Sequence, residues 1–417
     1  MKEKAVVIIG NGFDIKCKYY TRYINFKHFV EKWDFIKNNA KIRNGDRESS
    51  DSGPCDYIDK IYENDTDFFI TNLNIVTLYN QDVICIDKIF HKENVLCKFL
   101  FLTQNKDVLW SDIEKTLENL LMSLYKFFRL IEKCRMNNIE SISEEYININ
   151  CENDNLFEFL YYDSLRDKKY CSFELLNEER SIRLEKNIVG TEDEIELLDN
   201  LYNNLNDFKK AFSVYLYVYV CKLNNPKFIY GNYESDYKLI SDLTKKISEY
   251  DCDIVSFNYT HCHKEILSLQ LENKDGENKR AHYIHNTCEN MRNGHFFKWP
   301  EIVIGITDKL FIDNVKYNRF EKTIQINNFD KLSKIKYLID CAQQYIVYGH
   351  SFAGNDKHIF SDIFNNIINK NKNMDIFYCS QNDLYNKVRN IKTFFKNIND
   401  LNNLILQKKI NFIPQSS

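Results

Sequence analysis

Short apolar runs alternate with longer amphipathic stretches along most of the chain. The first run, residues 5–9, is rich in β-branched residues and ends at a glycine turn, which is typical of a strand buried on both faces of a parallel sheet. Further apolar runs cover residues 251–257, 281–285, 302–306, 345–348 and 374–379. Strands that alternate with helices predict a parallel sheet with helices on both faces. We therefore expect an α/β fold built on a mostly parallel, Rossmann-like sheet.

Apolar residues spaced by three and four predict the helices. These cover residues 22–37, 107–134, 192–223, 330–343 and 357–369. Ser111 and Glu114 have the spacing of a capping box at the start of the second helix, and Thr191 and Glu194 repeat it before the third. Both pairs therefore predict helix starts.

The chain has 417 residues, which is enough for two or three domains. About 200 mostly helical residues separate the first strand from the later ones. We therefore expect residues 1–54 and 251–417 to form one nucleotide-binding sheet domain, and residues 55–250 to form a large helical insertion. Residues 38–56 are polar and turn-rich and predict a loop.

Composition limits the class of protein and the compartment. A net charge of −4, with 44% hydrophobic and 28% charged residues, is typical of a globular protein with no general attraction to nucleic acid or to anionic membranes. No apolar run is long enough to span a bilayer or to form the core of a signal peptide. The 13 cysteines are scattered, as buried thiols in a reducing compartment are. We expect a cytoplasmic protein without membrane or nucleic-acid partners, and the sequence is compatible with a homo-oligomer.

Two glycine turns follow predicted strands, and ligands of parallel sheets bind outside the carboxyl ends of strands. In the first turn, Gly10 and Gly12 let a phosphate or ribose approach the backbone, and the amides of a following helix would favour an anion. The third glycine of the dinucleotide fingerprint is replaced by Ile15. A turn without a ligand is therefore the alternative interpretation.

The second turn contains Gly349, Ser351 and Asp356. Gly349 permits close approach, Ser351 offers a hydroxyl group, and the carboxylate of Asp356 could hold a ribose diol. The alternative for Asp356 is that it caps the helix predicted over residues 357–369.

Asn258 and His285 each come at the end of a predicted strand. The Asn258 amide could bind a carboxamide or a ribose hydroxyl through its donor and its acceptor. It could equally cap the next helix, a role that would also suit Thr260. His285 is the natural general base near neutral pH, although a lone histidine is more often a satisfied core side chain. His282 lies three residues before it and so faces the other side of the strand.

Histidines and cysteines are frequent in this part of the chain. They are His261, Cys262, His263, His282, His285 and Cys288. No two of them have the spacing of a zinc-ligand pair from one element. We therefore expect no metal.

The motifs, taken in order along the chain, resemble the bacteriophage abortive infection AbiH family. They are Ile9-Gly-Asn-Gly-Phe-Asp14, Thr21-x-Tyr23-x-x-Phe26, Trp110-Ser-Asp-Ile-Glu114, Phe257-Asn-Tyr-Thr260, Ile284-His285 and Gly349-His-Ser-Phe-Ala-Gly-Asn-Asp356. The family is similar in layout to sirtuin-like domains, which bind NAD on a Rossmann-type sheet. Some sirtuin-like phage-defence proteins cleave the bond between nicotinamide and ribose.

The resemblance implies a role for each motif, with NAD as the substrate. The diphosphate and ribose would lie on the first turn, the adenosine side on the second, and the reacting ribose at the two strand ends. The residues concerned are Gly10, Asn11, Gly12, Phe13, Asp14 and Thr21 for the first turn, Gly349, Ser351 and Asp356 for the second, Asn258 for nicotinamide and water, and His285 as the base.

The resemblance therefore implies a phage-defence effector that hydrolyses NAD or a related nucleotide at its N-glycosidic bond. That reaction passes through an oxocarbenium-like ribose, so it needs a positioned water, a polar anchor and a dry cavity rather than a metal or a covalent nucleophile. The alternative is a non-catalytic module that senses a nucleotide or ADP-ribose.

Overall fold

The computed structural model describes most of the sheet domain and part of the remaining chain. The described residues are 2–17, 21, 23–39, 41–43, 77–79, 86–87, 89, 94–103, 110–152, 156, 159–160, 171–176, 179–184, 191–216, 240–260, 281–285, 302–307, 311, 314–326, 329–353 and 356–415.

The strands within these ranges are numbered along the chain. They are β1 (Lys4–Ile9), β2 (Lys41–Arg43), β3 (Thr77–Tyr79), β4 (Ser141–Ser143), β5 (Cys171–Leu176), β6 (Glu179–Leu184), β7 (Asp251–Ser256), β8 (Ala281–Tyr283), β9 (Gln344–Tyr348), β10 (Asn373–Tyr378) and β11 (Ile410–Pro414).

The helices are numbered in the same way. They are α1 (Gly12–Lys16), α2 (Tyr23–Glu31), α3 (Trp33–Asn39), α4 (Val95–Thr103), α5 (Trp110–Met136), α6 (Glu144–Cys151), α7 (Thr191–Tyr215), α8 (Ser241–Ile247), α9 (Lys322–Gln325), α10 (Phe329–Cys341), α11 (Lys357–Lys370), α12 (Gln381–Lys392) and α13 (Ile398–Leu406), with a 3-10 helix at Val315–Phe320.

Six strands form one sheet in the order β11-β10-β9-β1-β7-β8, and every neighbouring pair is parallel. The expected α/β fold with a parallel sheet is therefore confirmed. The first strand of the chain lies inside the sheet, between β9 and β7, so its carboxyl end adjoins the ends of two strands that come more than 200 residues later.

The central strand β1 is buried on both faces, as its uninterrupted apolar pattern predicts. Val6 and Ile8 pack in a large core with Val255 of β7 and Val347 of β9. Helices α10, α11 and α13 contribute their apolar sides to the same core, through residues such as Ile335, Ile363 and Leu401. This packing holds the strand ends, and the turns that follow them, in fixed positions.

Residues 302–306 are not a strand of this sheet, and that prediction was wrong. The amide of Val303 donates to the carbonyl of His285, and Ile306 forms a single isolated bridge with Glu321. The segment is thus extended and buried, but it pairs with a turn and a short helix. Apolar runs of this length predict burial more reliably than they predict sheet pairing.

The chain divides into two compact units. The first consists of Met1–Ile84, Lys210–Ile304 and Ile326–Ser417, and the second of Cys85–Lys209 and Gly305–Gln325. The second unit thus has limits other than the expected 55–250, and it includes a stretch that the sequence analysis placed in the sheet domain.

Within the second unit, two carboxylates of α5 bind the segment Gly305–Gln325, which is the later of the two stretches that form this unit. Glu114 lies 2.9 Å from Nζ of Lys322 and accepts from the amide of Gly305, and Glu118 accepts from the amide of Thr307. The capping box expected at Ser111 and Glu114 does not mark the start of the helix. Because α5 begins at Trp110, this carboxylate lies a full turn inside the helix. The same unit contains the antiparallel sheet β4-β6-β5, which no sequence pattern predicted.

Glu194, which was expected in the second capping box, binds the 3-10 helix of the same unit. Its carboxylate bonds Nζ of Lys316 at 2.8 Å and the hydroxyl of Tyr317 at 2.9 Å. The helix that carries it, α7, begins at Thr191 itself.

Candidate functional site

The candidate site lies at the carboxyl ends of three neighbouring strands. Gly10 follows β1, Phe257 follows β7, and Gly349 follows β9. Backbone hydrogen bonds continue the sheet slightly beyond the strands, from the amide of Phe257 to the carbonyl of Ile9 and from the amide of Gly10 to the carbonyl of Tyr348. The topology thus brings both glycine turns and the Asn258 segment to one edge.

The two glycine turns pack directly against each other. The amide of Gly12 donates to the carbonyl of Gly349 at 2.8 Å, and the amide of Phe13 donates to the carbonyl of Gly10 at 2.9 Å. A Cβ atom on Gly349, where φ is +70°, would lie 2.3 Å from the nitrogen of Phe13. The glycines therefore permit contact between the turns. The amides of Gly12 and Phe13 are used within the protein, and α1, with five residues, offers few others to an anion.

Behind the first turn, Asp14 receives hydrogen bonds at both carboxylate oxygens. Nδ2 of Asn258 donates to Oδ1 at 2.9 Å, and Oγ1 of Thr260 donates to Oδ2 at 2.6 Å. We call these three residues the Asp14 cluster. Each is at most 2% exposed. A buried carboxylate with two donors is well satisfied, and it fixes the orientation of the Asn258 amide.

The oxygen of the same amide accepts no hydrogen bond from the described residues. Oδ1 of Asn258 is buried and has no hydrogen-bond partner among the described residues. A buried acceptor in this state costs about 1–3 kcal/mol relative to a bonded one, so such atoms call for a specific explanation. A bound ligand or water with a donor group at this edge would satisfy it.

The hydroxyl of Tyr348, at the end of β9, is another of the buried polar atoms that have no hydrogen-bond partner in the described part of the chain. Burial raises the pKa of Tyr348 above its usual range, and the nearby Asp242 acts in the same direction. The phenol therefore keeps its proton at neutral pH and can donate it.

A second polar cluster is centred on Asp356, at the start of α11. Its Oδ1 lies 3.1 Å from Nε2 of His285, and its Oδ2 lies 3.2 Å from Nε2 of His350. The side chain of Asp356 makes no capping bond to the helix. We call His285, His350 and Asp356 the Asp356 cluster; none of them is more than 8% exposed.

Aromatic side chains connect the neighbourhoods of the two clusters. The ring of His285 stacks on Tyr259 and meets Phe257 edge-on, both at a centroid distance of 5.6 Å. Phe257 and Tyr259 are the two chain neighbours of Asn258. The imidazole of His285 therefore contacts the two residues that flank Asn258. Both predicted catalytic residues lie at the same edge of the sheet.

A comparison with models of protein families identifies the family of this chain. The model of the family described as bacteriophage abortive infection AbiH matches residues 6–378, which include every residue of both clusters. The chain belongs to the AbiH family. Membership implies a role in abortive infection of bacteria by phage. A search of the curated proteins finds no match to the chain.

The remaining predicted site residues of this AbiH chain lie on or beside the turns. Nδ2 of Asn11 is 3.4 Å from the carbonyl of Thr21, which links the first turn to the segment before α2. Oγ of Ser351 accepts from the amide of Ala353 at 3.4 Å. Thr21 is buried, and Ser351 and Asn11 are half-buried.

Two members of the clusters were not predicted as site residues. The sequence predicted Thr260 only as a possible helix cap, and His350 only as part of the second glycine motif. Each lies within two residues of a predicted site residue, Thr260 after Asn258 and His350 after Gly349. The sequence could not show that Thr260 lies beside Asp14, because the two residues are 246 positions apart in the chain.

His282 takes no part in the Asp356 cluster. It lies near Lys331 and Lys334 of α10, as expected for the opposite face of β8. Burial and these two lysines lower its pKa to about 4. Among the described residues no group of three or more potential ligands could hold a metal ion. His261, Cys262, His263 and Cys288 lie outside the described residues. No helix in the described ranges is long and apolar enough to cross a membrane.

Proposed function

We propose that this AbiH protein binds NAD or a related nucleotide at the carboxyl edge of its sheet and hydrolyses the bond between ribose and base. The observation that carries the proposal is the buried, unpartnered Oδ1 of Asn258. Asp14 holds the donor end of this amide, so the acceptor end faces away from it. The carboxamide group of nicotinamide and the hydroxyls of ribose are donors of the kind that this atom requires.

In the proposed reaction, water attacks C1′ of the ribose. The C1′–N1 bond breaks and its electron pair leaves with nicotinamide, while a new C1′–O bond forms with the water oxygen. His285 accepts the proton that the water loses, and the products are nicotinamide, ADP-ribose and that proton. Asn258 anchors the reacting end of the substrate, and the buried surroundings keep other water away.

The aromatic side chains beside His285 suit this chemistry. Phe257 and Tyr259 enclose the imidazole with apolar surface, which strengthens electrostatic interactions inside the site. A positively charged ribose in the transition state is favoured by nearby carboxylates, and Asp14 and Asp356 both lie at this edge.

The test is direct. Purified protein is incubated with NAD near neutral pH, and nicotinamide and ADP-ribose are quantified by liquid chromatography. We expect wild type to release both in equal amounts, and Asn258→Ala and His285→Gln to lower the rate on the order of 100-fold or more. His282→Gln is the matched control, because it changes the histidine of β8, three residues before His285 and outside both clusters; its rate should equal that of wild type.

A second candidate function is a nucleotide sensor without turnover. It is favoured by the burial of the whole Asp356 cluster and by the mutual packing of the glycine turns, which use the amides of Gly12 and Phe13 internally. Calorimetric titration with NAD and with ADP-ribose separates the candidates. Binding that depends on Asn258, with no release of nicotinamide, would reject the hydrolase and support the sensor.

A further inference from the structure

His350 has a hydrogen-bond pattern that fixes the position of its ring proton. Its Nδ1 accepts from the backbone amide of Phe352 at 2.9 Å, so that nitrogen carries no proton in the neutral ring. The proton is then on Nε2, which lies 3.2 Å from Oδ2 of Asp356. His350 is therefore a donor to Asp356.

The local backbone is shaped to make this contact. Phe352 has a φ of +58°, a left-handed conformation that is unfavourable for a phenylalanine. It is held there by burial, with its ring 4.8 Å from that of Phe360. The His350 ring packs against both Phe257 and Phe360, with its centroid 4.6 Å from each of theirs. The orientation of His350 is thus set by packing and by the turn, independently of Asp356.

His350 in turn fixes Asp356. With Oδ2 occupied by His350, Oδ1 is the oxygen that faces Nε2 of His285 at 3.1 Å. An ionised carboxylate can only accept, so the proton of a neutral His285 ring is on Nε2. Any proton that His285 takes up in a reaction must then go to Nδ1.

We infer that Asp356 and His350 are positioning residues that set the tautomer of His285, so that Nδ1 is its basic atom. This inference rests on the proposed function for its catalytic meaning. It assigns Asp356 to the imidazole rather than to a ribose diol, and it gives His350 a role that no sequence motif indicated.

The substitution Asp356→Asn distinguishes positioning from a merely structural role. A carboxamide has one acceptor and one donor end. Because Phe352 keeps His350 a donor, the oxygen of the new amide must face His350. Its NH₂ group then faces Nε2 of His285, which has to become an acceptor. The proton of His285 therefore moves to Nδ1, which can no longer accept one.

The tautomers can be read from long-range ¹H–¹⁵N spectra of protein labelled at the histidine rings. Signals are assigned with His285→Gln and His350→Gln, and His282→Gln serves as the control that leaves both signals unchanged. We expect the Nε2–H tautomer for His285 in wild type and the Nδ1–H tautomer in Asp356→Asn. An Nδ1–H tautomer in wild type, or an unchanged tautomer in a folded Asp356→Asn, overturns the inference.

The spectrum needs no substrate, so it separates this inference from the proposed function. If wild type releases no nicotinamide and the tautomers are as expected, the hydrolase is rejected and the positioning stands. If wild type is active, Asp356→Asn should lower kcat on the order of 100- to 10,000-fold with little change in KM. Full activity of that variant overturns the inference and leaves the hydrolase intact. Should Asp356→Asn fail to fold, the wild-type tautomer still decides.

Discussion

Nδ2 of Asn258 lies 2.9 Å from Oδ1 of Asp14, and this hydrogen bond determines which end of the amide faces the sheet edge. From the sequence we expected Asp14 to bind a nucleotide and Asn258 to take part in the chemistry. In the structure the two side chains bind each other. Asp14 therefore fixes the orientation of the Asn258 amide.

Replacing Asp14 with leucine should destabilise the protein. The substitution leaves Nδ2 of Asn258 and Oγ1 of Thr260 without their acceptor, and each buried donor that loses its partner costs about 1–3 kcal/mol. We expect the free energy of unfolding, measured by urea denaturation, to fall by at least that amount. Nicotinamide release should fall as well, because the Asn258 amide is free to turn.

The comparison variant is Thr260→Val, which removes one donor and keeps the Asn258–Asp14 bond. Valine has nearly the shape of threonine, so the packing changes little. We expect a smaller loss of stability and a retained orientation of Asn258. Equal stability of Asp14→Leu and wild type would show that the cluster is not needed to satisfy these donors.

The contact between the glycine turns predicts a strong effect of Gly349→Ala. A Cβ atom there would lie 2.3 Å from the nitrogen of Phe13 and 2.7 Å from the carbonyl carbon of Gly12, both of them backbone atoms. The left-handed φ adds about 1–2 kcal/mol for any residue with a Cβ. Urea denaturation should therefore show a loss well above 1 kcal/mol. Ser351→Ala, two residues on, should stay within about 0.5 kcal/mol of wild type, as a substitution that removes only a long hydrogen bond does.

In the second unit, the ion pair of Glu114 and Lys322 is nearly completely buried. Removal of one partner of such a pair typically costs about 3–5 kcal/mol, because the other charge is left without compensation. We expect Lys322→Met to lower the unfolding free energy by this amount. The double variant with Glu114→Gln should recover part of the loss. A double variant that is less stable than the single one would argue against a buried charge as the cause.

The sheet could be predicted from the sequence because its strands carry the pattern directly. Residues 5–9 are apolar at every position, which fits a strand covered on both faces, and β1 is indeed buried on both. The order of strands could not be read from the sequence. Residues 302–306 are equally apolar, yet they pair outside the sheet, since burial and not strand neighbours determines the composition of such a run.

The candidate site was predictable only in part, for a similar reason. Asn258 and His285 stand at strand ends, where ligands of parallel sheets bind, so position alone made them candidates. The role of His350 depends on the left-handed turn at Phe352 and on rings from Phe257 and Phe360. No periodicity encodes these contacts. They arise only when β7, β9 and α11 are packed together.

His282 provides a prediction about pH. Its pKa is about 4 in the folded protein, lowered by burial and by Lys334 and Lys331, against 6.5 for an unperturbed histidine. Between these values the unfolded state binds more protons, so this group removes stability as the pH falls from 6.5 toward 4. Above pH 6.5 it contributes nothing. In His282→Gln, unfolding free energies measured over this interval should depend less steeply on pH than in wild type. Parallel curves for the two proteins would contradict the lowered pKa.

The proposed hydrolysis of NAD should be detectable in infected cells. Cells that carry the wild-type gene should survive as a population when challenged with a susceptible phage, and their NAD content, measured by mass spectrometry, should fall after infection. Cells with His285→Gln at the same protein level should keep their NAD and lose protection, because the base is missing. His282→Gln should behave as wild type. If wild type protects the culture while NAD stays constant and His285→Gln protects equally well, abortive infection by this protein proceeds without NAD hydrolysis at the Asp356 cluster.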